Sequence, residues 1–90
     1  MKTTLMIPKK EVLEALFQKG IHPDKLVRHT DGSFTFKRSY FYRHGSSPEK
    51  YAEAIKKAIP NAVILDRYDD FAAWPKTSYF VVKFEIKGDM

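Results

Sequence analysis

Side chains able to stack on a planar ring and to hold an anion crowd into one stretch: Phe34-Thr35-Phe36-Lys37-Arg38-Ser39-Tyr40-Phe41-Tyr42-Arg43-His44. It holds five of the thirteen aromatic residues and three basic ones. Rings interleaved with cations suit a single-stranded nucleic acid, whose bases stack on aromatics while Lys and Arg hold its phosphates. Strand alternation assigns Phe34, Phe36, Tyr40 and Tyr42 to a core face, which is the ordinary use of such rings. The outward patch is then Arg28, Lys37, Phe41, Arg43, Tyr79 and Lys83. Arg28, Lys37, Arg43 and Lys83 are its expected phosphate contacts, with Phe41 and Tyr79 as stacking residues.

Two further groupings invite a partner. Arg43-His44-Gly45-Ser46-Ser47 leads into a helix start, where free N–H groups attract anions, so His44, Ser46 and Ser47 outline a phosphate site. Helix capping alone accounts for both serines. Tyr68, Phe71 and Trp74 lie near Asp66, Asp69 and Asp70 and outline a protein-binding edge, since tryptophan is a favoured interface anchor. The bland alternative for Trp74, next to Pro75, is a lid over one end of the core.

Catalytic chemistry finds little support. The chain has no cysteine, which removes thiolate zinc sites, cysteine nucleophiles and disulfides. His22-Pro23-Asp24 and His29-Thr30-Asp31 share an H-x-D pattern without recognised zinc spacing, so no metal or other cofactor is expected. The aspartates at 66, 69 and 70 fall in or beside a loop where solvation keeps carboxylates ordinary. No nucleophile elbow accompanies the serines and histidines. The expectation is a non-enzymatic protein.

The net charge is +5, from 16 Lys/Arg and 11 Asp/Glu, with a hydrophobic fraction of 43%. Residues 1–60 hold twelve basic and six acidic side chains, whereas 61–90 hold four and five. A basic front suits a nucleic-acid backbone or an acidic protein surface. No apolar run reaches the length of a membrane span, and Met1–Pro8 is too short for a signal peptide, so a cytoplasmic protein with no membrane partner is expected.

The elements that must position these residues are well signed. Pro8 opens a helix over 8–19, with Val12, Leu13, Leu16 and Phe17 as its apolar stripe. Gly20 stops it, and Ile21 packs back on Leu16 in a Schellman arrangement. Asp31-Gly32 reads as a two-residue hairpin turn between strands 26–30 and 33–43. That turn makes paired residues sum to 63, setting Val27 opposite Phe36 on the core face and Leu26 and Arg28 on the other. Arg38 then falls on the core face, which calls for an edge position, a bulge near 37–39, or pairing with Asp66 or Glu85.

A second helix starts at Ser46 or Ser47, buries Tyr51, Ala52, Ile55, Ala58 and Ile59, and ends at Pro60. A strand over 62–68, a loop over 69–76 and a strand over 78–86 complete the chain. The last strand turns Phe80, Val82, Phe84 and Ile86 inward. The predicted fold is α+β and two-layered: a four-stranded, mainly antiparallel sheet with two helices on one face, in the order α-β-β-α-β-β. Strand order 1-2-4-3 is preferred over 1-2-3-4.

An open sheet with aromatic residues resembles the RNA recognition motif in outline. Arg38-Ser39-Tyr40-Phe41-Tyr42, however, lacks the glycine and the small residue of that family's strand pattern, and no family is assigned. Two functions are expected: a small protein binding nucleic acid, single strands favoured, through a basic, aromatic-bearing sheet face; or a stand-alone interaction module, an inhibitor or accessory subunit of the kind carried by phages and mobile elements.

Overall fold

A computed structural model describes residues 7–42 and 45–88. Six elements follow one another: α1 (Lys9–Gln18), β1 (Lys25–Arg28), β2 (Phe34–Tyr40), α2 (Pro48–Ala58), β3 (Ala62–Asp70) and β4 (Ser78–Ile86). The strands form one sheet in the order β1-β2-β4-β3, every neighbouring pair antiparallel. Both the α+β class and the preferred strand order hold.

The helices start and stop where backbone chemistry dictates. Pro8 is the N-cap of α1 rather than its first residue. The Schellman closure forms as expected: Ile21 N–H donates to the Leu16 carbonyl and Gly20 N–H to that of Phe17, both at 2.9 Å, with Gly20 at φ 76°. Ser47, not Ser46, caps α2; its Oγ accepts from Lys50 N–H at 3.2 Å, and Pro48 fills the first turn.

One core joins the layers. Val12 and Leu16 of α1 and Ala52, Ile55 and Ile59 from α2 and its C-cap pack with Leu26, Phe34, Phe36, Ala62, Val82 and Phe84 of the sheet. Rings extend it along the sheet: Phe34 stacks on Phe84 at 5.4 Å, and Tyr51 of α2 lies 5.4 Å from Phe36 and 5.7 Å from Phe80. Phe17, expected in the buried stripe, is instead half exposed beside the His22 ring, 5.0 Å away. The stripe of α1 is narrower than its apolar spacing suggests because Val12 and Leu16 already meet the core.

The hairpin register differs from expectation by one residue. Leu26 faces Phe36, Val27 faces Thr35 and Arg28 faces Phe34, so pairs sum to 62. The turn has three residues: His29 N–H donates to the Ser33 carbonyl at 2.8 Å, and Gly32 N–H to that of His29 at 3.0 Å. Gly32 takes φ 91°, the left-handed residue that closes a three-residue loop. Asp31 Oδ1 fixes it by accepting from Ser33 N–H at 2.9 Å and Ser33 Oγ at 2.7 Å. A one-residue slip exchanges faces. Leu26 is therefore buried and Val27 is 43% exposed, and Arg28 moves to the helix-facing side at the sheet's edge, not the open side.

Three more differences concern β2 and β3. β2 stops at Tyr40, leaving Tyr42 exposed rather than in the core. Asp69 and Asp70 belong to β3 rather than to the loop, because both pair with β4. A β-bulge sets Leu65 and Asp66 against Lys83, and the extra residue reverses the alternation beyond it. Ala62 and Ile64 point toward the helices before the bulge; Arg67 and Asp69 do so after it. Asp66, Tyr68 and Asp70 thereby turn to the helix-free side.

Arg38 sits on the helix-facing side without a bulge in β2 and pairs with neither Asp66 nor Glu85. Its Nη1 donates to the His22 carbonyl at 2.8 Å and lies 4.0 Å from Asp24 Oδ2. β1 is shorter than β2, so Arg38 adjoins an open stretch of an interior strand, and the chain entering β1 supplies its partners.

Candidate binding surface

The helix-free side of the sheet is floored by two buried side chains, Thr35 on β2 and Val81 on β4. Neither lies under a helix; longer neighbours cover them. Lys25 of β1 and Lys37 of β2 both reach over the Tyr79 ring, their Nζ atoms 5.6 and 5.7 Å from its centroid. Lys83 Nζ lies 5.9 Å from the Tyr68 ring. A ring quadrupole attracts an ammonium at this distance. His29 Nε2 meets Thr35 Oγ1 at 2.6 Å and closes the hairpin end of the floor.

Three cations thus share this side, none within ion-pair distance of a carboxylate among the described residues, although Asp66 is the cross-strand neighbour of Lys83. The acidic side chains on this side, Asp66 and Asp70, belong to β3, the edge opposite β1. Glu85, further along β4, is engaged by Lys87 at 2.8 Å. Charge therefore grades across the sheet, positive toward β1 and β2, negative along β3.

Of the six residues expected to form the outward patch, the fold brings Lys37, Tyr79 and Lys83 to this side. Arg28 is displaced by the register, Phe41 lies just past the end of β2, and Arg43 is outside the described residues. Sequence reasoning missed Lys25 altogether, and it assigned Tyr68 to the protein-binding edge rather than to this side. Lys25 could have been found only with the three-residue turn in hand, and Tyr68 only with the bulge.

At the end of the sheet lies a groove of about 330 Å³ lined by Tyr40, Phe41, Tyr42, Phe71, Trp74 and Lys76, among others. Phe41 is 79% exposed, Phe71 73% and Trp74 83%. Trp74 is accordingly no lid over the core. Of the expected protein-binding trio, Phe71 and Trp74 share this groove, while Tyr68 lies under Lys83. Ser78 ties down the loop that carries the two rings: its Oγ accepts from Ala72 N–H at 2.8 Å and donates to the Ala72 carbonyl at 3.0 Å. Tyr40 stacks on Phe80 at 4.1 Å and its hydroxyl donates to Asp69, making a firm groove floor.

Of the groups expected to form a phosphate site at the start of α2, Ser47 is engaged in capping, and two cations near it have partners of their own. Ser47 caps the helix, Lys50 Nζ donates to the Gly45 carbonyl, and Arg38 is held by His22 and Asp24. Ser46 lines a cleft of about 280 Å³ with His22, Arg38 and Lys50. His44 is outside the described residues. Among the described residues no group of three His, Asp or Glu side chains converges as a metal site would require, and no helix is long and apolar enough to cross a membrane.

Comparison with protein-family models, with curated proteins and with solved structures finds no match for this chain.

Proposed function

We propose that this chain is a non-enzymatic protein that binds single-stranded nucleic acid, with Lys25, Lys37 and Lys83 as its phosphate contacts. The observation that carries this reading is the row of three ammonium groups on the helix-free side of the sheet. Each is steered by a tyrosine ring and lacks a carboxylate partner among the described residues. Like charges on one side of a sheet repel, and an anionic backbone laid along them relieves that repulsion. The net charge of +5 supports association with a polyanion over the whole molecule.

The test is a polarisation titration of labelled single-stranded DNA, single-stranded RNA and duplex over a range of salt concentrations. Affinity is expected to fall with salt, with a logarithmic slope of about 0.7 for each phosphate contact on a single strand. Lys37→Ala and Lys83→Ala should each lower that slope by about the same amount and weaken all sequences alike. Absence of binding at low salt overturns the proposal.

A second reading, the protein-interaction module, draws on the exposed apolar rings of Phe71 and Trp74. Exposed aromatic clusters of this kind mark protein interfaces. It predicts no nucleic-acid affinity at low salt, so the same titration separates the two.

A further inference from the structure

We infer that the groove at the end of the sheet receives unstacked bases of the same strand whose phosphates lie on the lysine row; this rests on the nucleic-acid reading above. The expected stacking residue Tyr79 is poorly placed for the task, since Lys25 and Lys37 both cover its face. Tyr68 is covered likewise by Lys83. Phe41, Phe71 and Trp74 have neither a cation nor another ring against them among the described residues, and each is about three-quarters exposed or more. The tyrosines thus orient cations, and the open ring faces lie elsewhere.

Continuity makes one strand the occupant. Tyr79, the ring beneath Lys25 and Lys37, lies between Ser39 and Asp70; Phe41 stands two residues beyond Ser39, past the end of β2, and Phe71 directly follows Asp70. The groove, with its open rings, therefore adjoins the Tyr79 end of the cation row. Lys76 lines the groove, and among the described residues no Asp or Glu does. Bases stack on such rings without regard to sequence, because every base has a π-face. A duplex keeps its bases stacked inside, so only a single strand presents them. The Ser78 bonds to Ala72 and a turn bond from Lys76 N–H to the Ala73 carbonyl at 3.0 Å hold the loop before binding, which lowers the entropy lost on capture.

Trp74 is the chain's single tryptophan, so its fluorescence reports on this groove directly. The full chain is titrated with oligodeoxythymidylate and with an abasic oligonucleotide of equal length, which has the phosphates but no bases. Tryptophan emission and the polarisation of labelled strands are both followed. Oligodeoxythymidylate should quench Trp74; the abasic strand should bind more weakly and leave emission unchanged. Trp74→Ala should weaken oligodeoxythymidylate binding by roughly 5- to 160-fold, the equivalent of ~1–3 kcal/mol for one stacked base, and leave abasic binding intact. Trp74→Phe should restore most of the affinity. Equal affinity for the two strands, with no quenching, overturns this inference and leaves the lysine row as the binding surface. Failure of both strands to bind at low salt overturns the nucleic-acid reading itself and directs the groove to a protein partner.

Discussion

Asp24 shows how much one side chain can organise. β1 begins at Lys25, three residues short of the end of β2, and Asp24 continues the pairing twice over: its N–H donates to the Lys37 carbonyl at 2.9 Å, and its carboxylate reaches Ser39. Oδ2 accepts from Ser39 N–H at 2.6 Å and Ser39 Oγ at 2.8 Å. The Ser39 backbone N–H above all, with help from its hydroxyl and the Arg38 charge, holds the Asp24 carboxyl below its ordinary value of 3.8, against burial, which raises it. A depressed pKa in the folded state means that this stabilisation is complete above the unfolded value and drains away as pH falls through the folded one. Urea unfolding should therefore show Asp24→Ala costing about 1 kcal/mol at neutral pH, a modest figure because the pair is part-exposed. The difference from the parent should vanish in acid, below both pKa values. In the core, Phe36 is fully buried, and Phe36→Ala should cost about 3–5 kcal/mol in the same measurement. Its period-two place beside Phe34 made that burial legible in the sequence, whereas nothing in His22-Pro23-Asp24 announced a partner for a strand fifteen residues away.

Among the elements, the hairpin makes the sharpest demand. Its three-residue turn places Leu26 inside and Val27 outside, so Leu26→Ala should cost about 2–5 kcal/mol. Val27→Thr should stay within about 0.5 kcal/mol. Equal costs would contradict the register. Gly32→Ala forces a side chain into the left-handed region at φ 91° and should cost about 1–2 kcal/mol although nothing crowds the position. The loop between β3 and β4 depends on Ser78, which is 6% exposed. Ser78→Ala leaves the Ala72 N–H and carbonyl without their partner and should cost about 1–3 kcal/mol. Hydrogen exchange should rise at Ala72 before it rises in β2.

Over the whole molecule, charge is sorted by the sheet. Lys25, Lys37 and Lys83 occupy the helix-free side, and Asp66 and Asp70 occupy its β3 edge, carried there by the bulge after Ile64. On the proposed function, the carboxylates repel a strand that strays from the lysine row. Asp66→Asn with Asp70→Asn should tighten nucleic-acid binding by about 0.5–1 kcal/mol at low salt. The gain should fade as ionic strength rises, because exposed charges are screened over roughly 8–10 Å at moderate salt. Unchanged affinity in a low-salt titration would show that the strand does not pass near β3.

Sequence by itself located both helices and all four strands, and it favoured the antiparallel order that the structure shows. Those features follow from local rules: Pro8 and Ser47 at helix starts, Gly20 at a stop, and alternating Phe80, Val82 and Phe84 along β4. It also determined that Lys37, Tyr79 and Lys83 share a side, since each lies in a strand whose alternation is unbroken. Tertiary structure decided what depends on a shift of one residue. Asp31-Gly32 reads equally well as a two- or three-residue turn, and only the fit of Leu26 against Phe36 selects the second, exchanging Arg28 for Lys25 on the open side. The bulge at Leu65 is likewise silent in an apolar run, yet it turns Tyr68 outward. A period of two carries each strand's pattern faithfully but cannot register an inserted residue, and packing against the helices supplies that information.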